Sequence, residues 1–190
     1  MNCDLERSDL SSVLGEGRAL ADETKRMFAH LTTEQINWKP GAGEWSIGQC
    51  FDHLIISNRP YFSIIEDVRQ GKKKQRLWER MPLLPALFGT MLIRVLRPDS
   101  GRKAKARQKF LPSASTIDPG IVSDFLDQQT RLLTLMETTR GLDLDRIAIT
   151  SPVLALVTYS LMNAYRIIVV HEQNHVVQAK RVLETPGFAT

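Results

Sequence analysis

The sequence predicts an all-α fold, a four-helix bundle with one long crossover connection between its second and third helices. Three observations carry that expectation. Four segments repeat apolar residues at the three-to-four spacing of an amphipathic helix. No segment alternates apolar and polar residues convincingly over the length of a strand. Residues 71–117 form a connection of 47 residues, long enough to return the chain to the far end of a bundle, so that the helices on either side can run parallel.

The first helix is drawn by Val13, Leu14, Leu20, Ala21, Met27, Phe28 and Leu31. It is followed by TTEQINWKPGAGEW, a loop in which Pro40, Gly41 and Gly43 forbid further helix. The second helix starts at Ser46, with Gln49 three residues on completing a capping box. It runs to about Gln70, with Gly71 as its stop and a kink expected at Pro60. Within the long connection, the apolar run MPLLPALFGTMLIRVL precedes the basic SGRKAKARQKF. The third helix opens at Asp118-Pro119, a capping residue followed by proline at the first helical position. Its stripe is Ile121, Val122, Phe125, Leu126, Leu132, Leu133 and Met136, and Gly141 lies just past its end. After the loop GLDLDRIAITSP, the fourth helix is expected from about Leu156 to Leu183, where TPG stops it.

A chain of 190 residues with 43% hydrophobic and 24% charged content reads as one soluble globular domain spanning 1–190. The formal charge of +4 is unevenly placed. Twelve Lys or Arg lie between Lys72 and Lys109 against only Glu79 and Asp99, so the remainder of the chain is net acidic. Such a cluster is either a solvated connection or a surface for an anionic ligand, nucleic acid or lipid. The aromatics there are few (Trp78, Phe88, Phe110) and no recognition motif accompanies them, so nucleic acid is not expected as a partner. The run from Met81 to Leu96 would leave a large apolar patch if bare, and is expected to cover the cleft or a dimer contact. Its rival role is at an anionic membrane surface together with Arg94 to Lys109. Two cysteines, Cys3 and Cys50, form no disulfide framework or zinc ribbon. The N-terminus MNCDLERSDL lacks the pattern of a secretory signal, and the apolar stretch from Val153 to Val170 is interrupted by Asn163 and Arg166. These features predict a cytoplasmic protein without a membrane span.

Residues 171–175 read HEQNH, a literal match to the H-E-x-x-H pattern in which two histidines one helical turn apart hold zinc. His171 and His175 are separated by about 40° around the fourth helix, on the stripe shared with Ala164, Ile167 and Ile168. His53, in WSIGQCFDHL, sits where the apolar arc of the second helix meets its polar side. Together these three make a candidate three-histidine site with a fourth position open, the arrangement of a catalytic rather than a structural metal. Imidazole suits zinc, nickel, copper and iron alike, and the ion expected here is divalent, zinc or nickel first, with iron or manganese as alternatives. Glu172, about 60° from His175, is a candidate base at the rim or else a solvated carboxylate. Gln178, one turn beyond His175, is a candidate to fix a ligand's orientation. His30 reads as a surface or capping residue and Cys50 as a small core residue. A zinc protease is excluded on pattern, because positions 178 and 181 are Gln and Arg where the extended motif needs Gly and His. No strand is expected that would pair with a peptide.

The stretches NWKPGAGEWSIGQCFDHLIISNRPYF and HEQNHVVQAKRVL resemble the opening W-S-I…H-L helix and the closing H-x-x-x-H-x-x-Q helix of the DinB/YfiT-like superfamily of metalloenzymes. The resemblance implies an up-down-down-up bundle, commonly homodimeric, with a divalent metal on His53, His171 and His175. It also implies a small-molecule substrate, with hydrolases and thiol transferases that use low-molecular-weight thiols among the family's activities. The basic insertion at 71–117 departs from the family pattern. A non-catalytic bundle that binds a metal or a small molecule is the alternative reading.

Overall fold

The computed structural model describes residues 9–74, 79, 91, 93–95, 110–113, 115–154 and 157–188. Four long helices account for most of it. Helix α1, Leu10–Phe28, is capped by Asp9, whose carboxylate accepts from the Ser12 backbone at 2.8 Å. Its buried face is Val13, Leu14, Gly17, Leu20, Thr24 and Phe28, the spacing of one apolar stripe. Gly17 lets α1 come close to its neighbour: a Cβ there would meet the Leu133 side chain at 2.7 Å.

A short helix α2, Thr33–Asn37, occupies the start of the segment expected to be loop. Thr32 and Gln35 cap it reciprocally, a local signal that periodicity does not carry because five residues hold no repeat. Helix α3, Ile47–Arg69, begins at Ser46 with the expected capping box to Gln49 and continues through Pro60 to Arg69. Gly71, at φ 67°, ends it in the left-handed conformation that favours glycine. Helix α4, Ile121–Glu137, starts three residues after Asp118, whose carboxylate accepts from the Gly120 backbone at 2.7 Å.

Two strands correct the expectation that none exists. β1, Ala148–Thr150, pairs antiparallel with β2, Thr158–Ser160, with Ile149 opposite Tyr159. The fourth long helix, α5, Leu161–Leu183, therefore begins five residues later than expected. Thr158 and Tyr159 prefer the pleated surface, and Ser160 caps α5 by accepting from the Asn163 backbone at 3.1 Å.

Helix α1 packs against α4 and α5, and α3 packs against the same two. The buried apolar residues fall into two clusters. One gathers Tyr61, Ile65, Leu132, Met136, Tyr159, Tyr165 and Ile168. The other gathers Phe28, Ile36, Ile47, Phe51, Phe125 and Val176, with the Phe51 ring 5.3 Å from both Phe28 and Phe125. Between them the same four helices contribute Glu16, Asn58, Gln129, Glu172 and Gln173, a polar layer across the core. Most of the run from Met81 to Leu96 lies outside the described residues, as does the basic stretch up to Lys109. Met91 and residues 93–95 are helical, with Met91 exposed and Ile93 buried in the first cluster. Among the described residues no helix is long and apolar enough to cross a membrane.

Candidate metal centre

His53 lies in the second turn of α3, and His171 and His175 lie on successive turns of α5. The packing of α3 against α5 brings the three together although more than a hundred residues separate them. One ring nitrogen from each lies within 4.8 Å of the others, and no cysteine or carboxylate joins them among the described residues. His53 Nε2 stands 3.2 Å from His171 Nε2, and ring centroids are 4.6 to 5.1 Å apart.

The contacts around the rings decide which nitrogens are free. His53 Nδ1 lies 2.6 Å from the Phe110 carbonyl, which can only accept, so Nδ1 carries the proton and Nε2 the lone pair. In the same way His175 Nδ1 donates to Gln178 Oε1 at 3.0 Å. Such outer hydrogen bonds fix a ligating imidazole's tautomer and aim its other nitrogen. The Trp45 indole covers the cluster, stacked on His175 at 5.6 Å and tilted over His53 at 5.0 Å. Burial holds all three imidazoles below their ordinary value of 6.5, and the neighbouring rings add to the effect at His171 and His175. His175 is brought down to about 3, the Gln178 contact opposing the shift only in part. Three neutral imidazoles, two of them with the lone pair of Nε2 fixed by their outer hydrogen bonds and the third with Nε2 beside that of His53, are a donor set that fits a divalent ion.

Phe110 belongs to the far end of the long connection, and that end is stitched to the start of α3. Gln49 donates to the Ser113 carbonyl at 2.9 Å, and the Ser113 backbone donates to Asp52 at 2.7 Å. Asn37 brackets Ile117, accepting from its N–H at 2.8 Å and donating to its carbonyl at 2.7 Å. Nothing in the sequence pattern of the insertion marked Phe110 as a neighbour of His53.

Glu172 is neither at the rim nor solvated, which corrects both expectations for it. It is fully buried, with Oε1 accepting from Asn58 Nδ2 and Oε2 from Gln129 Nε2, each at 2.7 Å. Burial pushes its carboxyl up to about 8, against the pull of both amides. His30 is exposed and away from the cluster. Cys50 is fully buried, its thiol pushed up to about 12, and it takes no part in the cluster.

The class of protein that emerges is a mostly helical chain in which one histidine from an early helix and an H-x-x-x-H pair on the last form a group that could hold one metal ion. The DinB superfamily model matches residues 18–179, and this chain is a member of that superfamily. No curated protein and no solved structure matches it.

Proposed function

We propose that this chain binds a divalent metal through the Nε2 atoms of His53, His171 and His175, and uses the remaining position to activate water or a thiol, as a hydrolase or a thiol S-transferase. The observation that carries this reading is the convergence of three neutral imidazoles, two with their Nδ1–H groups already anchored. A bound metal with an open position lowers the pKa of water to about 7 or stabilises a thiolate. The chain's own groups hold and shelter that position. The Phe110 carbonyl and Gln178 aim His53 and His175, and Trp45 shields one side from water. We assign Glu172 to tying α3, α4 and α5 together rather than to proton transfer, since amides take both of its oxygens. Zinc, nickel, copper and iron all suit the imidazole set, whereas manganese prefers oxygen donors. A low-molecular-weight thiol as substrate, a homodimer and a cytoplasmic location rest on the family resemblance and belong to the same proposal.

We further read the four long helices as an up-down-down-up bundle. Side-chain pairs support that order. Phe51 with Phe125 and Phe62 with Arg131 advance together along α3 and α4. Glu16 with Gln173 and Glu23 with Lys180 advance together along α1 and α5. Across α3 and α5 the order reverses, from His53 with His171 to Tyr61 with Tyr159 just before α5.

Metal analysis of protein purified without an affinity tag tests the reading. Near-stoichiometric metal is expected, and protein that neither carries metal nor takes it up on soaking overturns it. One observation favours a non-catalytic binding role: among the described residues no carboxylate joins the three imidazoles as a free acid or base. Turnover of a panel of thiols by the metal-loaded protein separates the two.

A further inference from the structure

Ser57 follows His53 by one helical turn on α3 and is 5% exposed. Among the described residues its hydroxyl has one hydrogen-bond partner, the Nε2 of His53 at 3.4 Å. Because His53 Nδ1 carries the proton given to Phe110, Nε2 is the acceptor and Ser57 the donor. An imidazole nitrogen has a single lone pair in the ring plane, so a metal on Nε2 takes away the acceptor that Ser57 uses. A buried donor left without an acceptor is destabilising, and native structures leave few of them.

We propose that Ser57 donates a hydrogen bond to the anion that fills the open position beside the three histidines, and so makes the site selective for a thiolate-like or hydroxide-like occupant. This rests on the metal reading above. The hydroxyl lies against the nitrogen that faces the His171 ring, on the side where the three donor atoms converge. Hydrogen bonds to charged acceptors are about twice as strong as neutral ones, so an anion gains more from Ser57 than a neutral ligand does. The competing fate of the hydroxyl is to turn back to its own helix and bond the carbonyl four residues earlier, as serines in helices do.

Cobalt(II) is the probe, since its visible absorption reports both its uptake and the arrival of a fourth ligand. Wild type, Ser57→Ala and Ser57→Thr are loaded with cobalt, then titrated in separate arms with azide and with 2-mercaptoethanol. Ser57→Ala should hold cobalt as tightly as wild type, or slightly tighter for want of a competitor at Nε2. Its affinity for the anion should fall about tenfold or more, the scale of one hydrogen bond to a charged group. Ser57→Thr, which keeps the hydroxyl, should restore it. A loss confined to the 2-mercaptoethanol arm marks a thiolate site, one confined to azide a hydroxide-like site, and a loss in both a general anion site. Equal affinities in wild type and Ser57→Ala overturn the proposal, and so does a Ser57→Thr as weak as Ser57→Ala. Loss of cobalt from Ser57→Ala also overturns it, by making Ser57 part of what holds the metal. Wild type that takes up no cobalt fails one step earlier and removes the metal reading itself.

Discussion

Each imidazole in the cluster has different surroundings, and these set what its replacement should do. In the proposed site His53→Ala removes the ligand contributed by α3, leaving two, too few to hold a divalent ion firmly. Metal content measured on His53→Ala should be as low as on His171→Ala or His175→Ala, and metal retained in His53→Ala would dissolve the shared site. Gln178 acts through His175, so Gln178→Ala should keep the fold and weaken metal affinity about tenfold or more. Glu172→Gln is a different kind of change. It keeps a neutral group of the same shape, which a carboxyl raised to about 8 already is near pH 7, and Gln129 can turn its Oε1, which has no partner among the described residues, toward the new N–H. The thermal midpoint of Glu172→Gln near pH 7 should therefore stay close to wild type, whereas Glu172→Ala, which leaves both amides without an acceptor, should lower it by several degrees, at about 2–4 °C per kcal/mol for a chain of this size. If Glu172→Gln kept its midpoint and lost turnover, a base role would have to be restored to it.

At the scale of elements, the junction of α2, α3 and the end of the long connection positions His53. Gly48, in the first turn of α3, is where they meet. A Cβ there would lie 2.7 Å from Ile36 Cγ2 and 3.2 Å from both Ile117 Cγ2 and the Ile36 carbonyl. Gly48→Ala adds about 1 kcal/mol of helix propensity, but it overpacks against backbone, which costs about 1–3 kcal/mol. The expected result is net destabilisation in denaturant titration, whereas Gly15→Ala, with open space around it, should gain stability. Equal shifts in the two variants would mean that the junction yields freely. Trp45 stands immediately before the Ser46 cap of α3, which is why this W-S pair carries structural and site roles at once.

For the whole molecule, a polar layer divides two apolar clusters, and Glu172 of that layer and the three histidines beside it make stability depend on pH in opposite senses. The three histidines are held below 6.5 in the folded state by burial. Below 6.5 the unfolded chain takes up protons that the folded chain refuses, so their contribution is present above 6.5 and is lost as pH falls towards the depressed folded values. Glu172 has the opposite sign. Raised from 4.5 to about 8, it contributes fully below 4.5 and loses that contribution as pH rises through about 8. Between 6.5 and 4.5 the three histidines outweigh the single opposing carboxyl, so the melting temperature of metal-free protein should fall as pH drops below 6.5, and His175→Gln should flatten that fall. An unchanged slope in His175→Gln would place His175 in solvent. Metal affinity should hold through the usual histidine range and decline only below it, because the ligands are already neutral there.

The helices were legible because amphipathic periodicity and capping boxes are local. Ser46 with Gln49 marks a start, the Val13-to-Phe28 stripe marks a face, and both act within a turn or two. The strands escaped notice because three residues each carry no period, and their pairing is made by a return of the chain. By itself the sequence determined four amphipathic helices and one H-x-x-x-H pair, since side-chain spacing along a helix is fixed by its 3.6-residue turn. The sequence offered His53 as a third member, but only the tertiary structure decided that it meets that pair, that the Phe110 carbonyl sets its tautomer, and that Glu172 is locked between Asn58 and Gln129. Those are contacts between residues 43 to 118 positions apart, and they exist only once α3, α4 and α5 have packed, because which faces meet is settled by burial across the whole core.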